Sequence, residues 1–166
     1  MTAPDFLTID EGRTDVKSAG AGAGLRAVAC CDETADVMDN HFEQIGGRDK
    51  VLALVERFYD VMEEAEPALA ALHQRDATGK ITRRSRDRFA SFLVGWLGGP
   101  DDYIRDNGHP RLRMRHGQVP VNVAMRDAWV RCMTAAMDAC AVPEPPRAFL
   151  QQRFAEVADF LRNVEG

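Results

Sequence analysis

Four histidines, His41, His73, His109 and His116, are the side chains of this sequence best suited to metal chemistry. No two of them stand three or four residues apart, and no His-Glu-x-x-His run occurs, so their spacing builds no multi-ligand zinc centre. One axial imidazole on a haem iron needs no such spacing, and that chemistry stays open. Covalent attachment of a haem is excluded, because there is no Cys-x-x-Cys-His. Of the four cysteines, Cys30 and Cys31 are adjacent, a spacing that seldom forms a disulfide. Cys132 and Cys140 lie on one predicted helix, about 12 Å apart at a rise of ~1.5 Å per residue, too far to bridge. All four read as reduced, mostly structural thiols.

His116 stands apart by its surroundings. Between Gly95 and Cys132 a helix stops at Gly98-Gly99-Pro100, an arginine-studded stretch ends on His116, and a new helix carries Trp129. A lone histidine between two apolar helices can serve a flat apolar cofactor. Arginines cluster at Arg83, Arg84, Arg86 and Arg88, and again at Arg111, Arg113 and Arg115, in a chain of net charge −5. Local basic clusters on an acidic chain suit an anionic small molecule, such as a haem with its propionates, better than a nucleic acid. A 45% hydrophobic content, with no apolar run near the roughly 20 residues of a membrane span, argues against a membrane protein. The first residues are acidic where a signal peptide would be basic, so a cytoplasmic location is expected.

The elements that must position these side chains are helical. Residues 1–36, with the run Ser-Ala-Gly-Ala-Gly-Ala-Gly, read as a flexible N-terminal arm, with at most a weak helix over Leu25–Cys31. Residues 37–166 read as the folded domain. A short helix from Asp36 ends on Gly46-Gly47, and the next starts near Asp49 with Val51, Leu54, Val55, Phe58, Tyr59 and Met62 on one face, failing at Pro67. A loop covers His73 to Lys80. Thr82 caps a helix bearing Ser85, Phe89, Phe92, Leu93 and Trp96. A short turn through Tyr103 and Ile104 follows, and Gly117 to Val121 is extended. Asn122 caps the helix of Met125, Trp129, Cys132, Met133, Ala136 and Met137. The last helix carries Phe149, Leu150, Arg153, Phe154, Val157, Phe160 and Leu161. Nothing reads as a strand.

Read together, these motifs resemble the group II truncated haemoglobins. Gly108-His109-Pro110-Arg111-Leu112-Arg113-Met114-Arg115-His116 and Arg126-Asp127-Ala128-Trp129-Val130-Arg131-Cys132-Met133 match the family's Gly-His-Pro…His and Arg-Asp-Ala-Trp motifs. Phe92-Leu93 through Trp96-Leu97-Gly98-Gly99-Pro100 and Arg57-Phe58-Tyr59 match two more, and the likeness spans about Val37 to Gly166. Gly117-Gln118-Val119-Pro120 departs from the family's Pro and Phe after the axial histidine, and the loop from His73 to Thr82 is longer than in many relatives.

The resemblance implies an all-α, truncated-globin-like two-over-two helical sandwich around non-covalent haem b. It implies His116 as axial ligand, with Phe89, Phe92, Tyr103, Leu112, Met114 and Val119 around the haem and Arg88 and Arg115 toward its propionates. Tyr59, Trp129 and His73 become distal donors, with Leu72 the alternative to His73. Ser85 falls where the usual distal histidine stands and is too short to reach far. His109 is left as a turn residue. The implied activity is reversible binding or transport of oxygen, with nitric oxide and carbon monoxide as further ligands. The rivals are nitric-oxide dioxygenation or peroxidase-type chemistry fed by an external reductase, and gas or redox sensing. A monomer or weak homodimer is expected.

Overall fold

The computed structural model describes residues 41–165. The arm, its weak helix, the domain boundary and the start of the helix from Asp36 lie outside the described residues. Helices run in the order α1 (His41–Ile45), α2 (Gly47–Ala65), α3 (Pro67–Ala70), α4 (Arg83–Trp96), α5 (Asp102–Asn107), α6 (Leu112–His116), α7 (Val123–Ala139) and α8 (Pro146–Phe160). Among the described residues there is no strand, only an isolated bridge between Arg75 and Ile81.

Local chemistry sets the ends. Pro67 has no N–H to continue α2, yet at the first position of a helix that loss costs nothing, so it opens α3 instead. The Thr82 hydroxyl accepts from the Ser85 amide, and the Asn122 carboxamide from the Met125 amide at 2.9 Å, capping α4 and α7 as their sequences predict. Beyond α4 the chain turns through Gly98 at φ 93°, which favours glycine. A Cβ on Gly99 would sit 2.8 Å from the Phe42 ring, and the Phe42 amide donates to Leu97. That turn is the seat of α1.

α2 is the hub, packed against α4 on one side and α7 on the other, while α7 also packs on α8. The two pairs give the two-over-two arrangement expected. Val51, Leu54, Val55, Phe58 and Met62 of α2 are buried at helical spacing, with Leu93 and Val94 of α4 and Met133 and Met137 of α7. Burying one such side chain contributes about 1.5–3 kcal/mol relative to leaving it in water. Arg86 ties α4 to α2. Its side chain is 8% exposed and bonds the Glu56 and Asp60 carboxylates at 2.9 Å and Glu63 at 3.1 Å.

Two segments are more ordered than their sequences suggest. The stretch before His116 closes into helix α6, entered through Arg111 in the left-handed region at φ 41°. The loop after His73 is organised by Asp76, whose carboxylate accepts from the Thr78 amide and hydroxyl and the Lys80 amide. Those bonds hold the Asp76 carboxyl below the usual carboxylate range.

Candidate functional site

A cleft opens among α2, α4, α6, α7 and α8, enclosing about 130 Å³, or about 960 Å³ with the space open to solvent. Apolar side chains make most of the wall: Phe58, Leu69, Phe89, Phe92, Trp96, Leu112, Val121, Met125, Phe154, Val157, Ala158 and Leu161. The polar groups in it are Tyr59, His73, His116, Trp129, Arg126 and Arg153.

His116 closes α6 and is buried. Its Nδ1 lies 2.6 Å from the Leu112 carbonyl one turn earlier. A carbonyl only accepts, so the proton sits on Nδ1 and the lone pair on Nε2. Burial lowers the imidazole pKa, the neighbouring Arg115 charge adds to this, and the Leu112 bond opposes it. A neutral, oriented imidazole in an apolar wall is the form that ligates iron. Among the described residues no group of three or more His, Cys, Asp or Glu could hold a metal, so no multi-ligand metal centre of that kind competes with a haem for His116.

Tyr59 and Phe58 enter from α2, Phe89 from α4 and Trp129 from α7, and they form one aromatic cluster. Phe58 and Trp129 have ring centroids 5.0 Å apart, Tyr59 and Phe89 6.1 Å, and Phe89 and Trp129 6.2 Å. The His73 ring stands edge-on to Tyr59 at 5.6 Å, and its Nδ1–H donates to Leu69 at 3.2 Å. Burial pushes the His73 pKa down to about 4, with the fields of His116 and Arg75 lowering it further and the Leu69 bond opposing. The Arg86 guanidinium lies 5.5 Å from the centre of the Tyr59 ring. Below the cluster, Phe154 of α8 joins Trp129 at 5.1 Å to Trp96 at 5.2 Å. One turn past Trp129, Cys132 is buried and its thiol is pushed up to about 11, by burial first and the Glu66 charge second.

The structure thus brings His116, Tyr59, Trp129, His73, Phe89, Phe92 and Leu112 to one cleft, and sets His73 rather than Leu72 in its wall. It does not bring Ser85, Arg88, Tyr103, Met114, Arg115 or Val119 to that wall. Ser85 turns to the Thr82 hydroxyl at 2.9 Å because it serves the α4 cap, and Met114 is 49% exposed on the outer side of the short α6. Val119, Arg115 and Tyr103 are buried, but outside the cleft lining. Arg88 lies one turn before Phe92 on α4, and the Tyr103 ring meets Phe92 edge-on at 5.5 Å. The Arg88 Nε and Nη1 and the Tyr103 hydroxyl are buried without a hydrogen-bond partner. Unsatisfied donors beside a wall residue fit an anionic group such as a propionate, which would accept from both.

Sequence reasoning missed Phe58, Leu69, Trp96, Val121, Met125, Arg126, Arg153, Phe154, Val157, Ala158 and Leu161 as wall residues. Most were read as a helical core stripe, and a stripe looks the same whether it faces another helix or a cleft. The only added signal was that α8 carries Arg153 beside its apolar face.

The family model of bacterial-like globins matches residues 40–163. The chain is 32% identical over 117 residues to Group 2 truncated hemoglobin YjbI of Bacillus subtilis (strain 168), covering 70% of this chain and 84% of that protein. The hemoglobin of the thermophilic phototrophic bacterium Chloroflexus aurantiacus superposes with a TM-score of 0.69 at 36% identity, covering 75% of this chain and 98% of the other. The truncated oxygen-avid haemoglobin from Bacillus subtilis does so with a TM-score of 0.67 at 32% identity, covering 75% and 100%.

Proposed function

The chain belongs to the bacterial-like globin family, and from that premise we propose that it holds haem b non-covalently through His116 and reversibly binds oxygen and related diatomic gases. Membership implies a haem-binding globin; the axial residue, the haem type and the ligand are inferred here from the site. The observation that carries the reading is His116: buried, neutral, with Nδ1–H committed to Leu112, in the wall of an apolar cleft. Arg88 and Tyr103 supply buried donors for the propionates, and Arg115, beside His116 in the chain though outside the cleft wall, adds positive charge.

A bound haem supplies an iron site at which a diatomic gas can be held. The chain's own part is to exclude water and to donate hydrogen bonds to that gas. The Tyr59 hydroxyl and the Trp129 indole N–H do so, with His73 beside Tyr59. A hydrogen bond to a charged acceptor contributes about 1.5–3 kcal/mol, more effectively where water is excluded. A solved relative is described as oxygen-avid, and in this chain a cleft with several donors favours retention of oxygen. Retention also suits conversion of nitric oxide to nitrate, or peroxidase-type turnover, either of which requires a separate reductase.

His116→Ala is expected to abolish the Soret band that the wild-type protein acquires with haem, while leaving the far-ultraviolet circular dichroism helical. Full haem occupancy with an unchanged ferrous spectrum in this variant would move the axial role to another residue.

A further inference from the structure

Asn163 lies just past α8, 47 residues from His116 in sequence, yet it is bonded to the segment that carries His116. Its Nδ2 donates to the carbonyl of His116 at 2.9 Å and to that of Val119 at 2.9 Å, and its Oδ1 accepts from the Val121 amide at 2.9 Å. The backbone adds to this, the Asn163 amide donating to the Val121 carbonyl at 3.0 Å. Turning the carboxamide over would set its oxygen against two carbonyls, so the network fixes its orientation. The segment it holds is short, and the other bond it receives from beyond α8 is the Val164 amide donating to the Val121 carbonyl at 3.4 Å. α6 is only five residues long, and the chain expected to be extended after it instead turns at Gly117 and Gln118, held within itself by the Gly117 amide bonding Met114 and the Val119 amide bonding His116.

We propose that Asn163 is a positioning residue for His116, a clasp by which the C-terminal segment fixes the backbone of the proximal loop and, through it, the aim of the imidazole. The inference rests on the reading of His116 as axial ligand. The His116 side chain is already turned by its bond to Leu112, so what remains free is the placement of the α6 end itself. Asn163 takes that freedom away by holding the His116 carbonyl and the two residues that lead on to α7.

The test uses the full chain loaded with haem, with Asn163→Ala, Asn163→Asp and, as a control at the same helix end, Arg162→Ala, which touches Asp159 and not the loop. Three readouts are taken: the iron–histidine stretching band of the ferrous protein, the rate of haem transfer to excess apomyoglobin, and hydrogen exchange of the Val121 amide. Asn163→Ala is expected to shift or broaden the band, speed haem transfer about ten-fold, and speed Val121 exchange. Asn163→Asp keeps the acceptor and loses both donors, so it should move the band while Val121 stays slow. Arg162→Ala should leave all three as in the wild type. A wild-type band and transfer rate in Asn163→Ala, or equal changes in Arg162→Ala, overturns the proposal. Should the Asn163 variants not fold, unprotected Val121 in the wild type overturns it equally. Failure of the axial-ligand reading shows separately, as a wild-type chain without a Soret band or a His116→Ala variant that keeps one.

Discussion

Tyr59 and Trp129 come to the cleft from different helices, α2 and α7, and bring one donor each to the same small volume. Tyr59→Phe and Trp129→Phe should each speed oxygen dissociation about ten-fold or more, the loss of one charge-assisted bond. Because both would serve one ligand, the double variant should fall short of the product of the two effects. Stopped-flow displacement by carbon monoxide measures this, and strict additivity would remove one donor from the site. His73 gives a second test. Its folded-state pKa of about 4 lies below the ordinary 6.5, so the unfolded chain takes up the proton first as pH falls. Its contribution is full above pH 6.5 and is lost progressively toward pH 4, amounting to at most about 3 kcal/mol. The groups around it are the Leu69 carbonyl, Tyr59, His116 and Arg75. His73→Leu should flatten the acid side of the urea-midpoint profile of the haem-free chain, and an unchanged slope would contradict the burial. His116 was singled out through the resemblance, because a lone histidine on a helical chain is more often an ordinary polar residue than a ligand. Arg88 and Tyr103 were legible only through the resemblance, since their lack of partners is visible only in three dimensions.

Among the elements, α1 shows how tightly one turn can govern packing. The Phe42 ring rests where a side chain on Gly99 would be. Gly99→Ala should therefore cost about 1–3 kcal/mol of unfolding free energy, as overpacking does. Adding Phe42→Ala should not deepen the loss by the full cost of deleting a ring, because the clash disappears with it. Chemical unfolding of the two variants and the pair decides this. The caps Thr82 and Asn122 and the break at Gly98 could be read directly, because each acts on backbone within three residues. α6 could not. It has no side-chain cap, and its first turn is entered from a non-glycine residue at positive φ. Tertiary bonds, including those from Asn163, hold it instead.

At the scale of the molecule, the family match starts at residue 40, and solved relatives are covered over 98–100% of their length by about three quarters of this chain. The globin is thus accounted for without the first residues. Deleting residues 1–36 should leave the Soret band in place and the melting temperature within a few degrees. A drop of more than about 8 °C, roughly 2 kcal/mol or more for a chain this size, would mean that the segment packs on the globin. The hydrophobic periodicity foretold the helical pairs well, because burial of a stripe demands a partner helix. It could not foretell which stripe would be shared with a cofactor.

The thiol of Cys132 bears on chemical durability. A cysteine sulfur is oxidised by peroxide through its thiolate form. With a pKa near 11, only about one molecule in ten thousand carries that form at neutral pH. The sulfur one turn past Trp129 is therefore kept in its unreactive form by its own burial, and a loosening of that packing would register in the chemistry of the thiol.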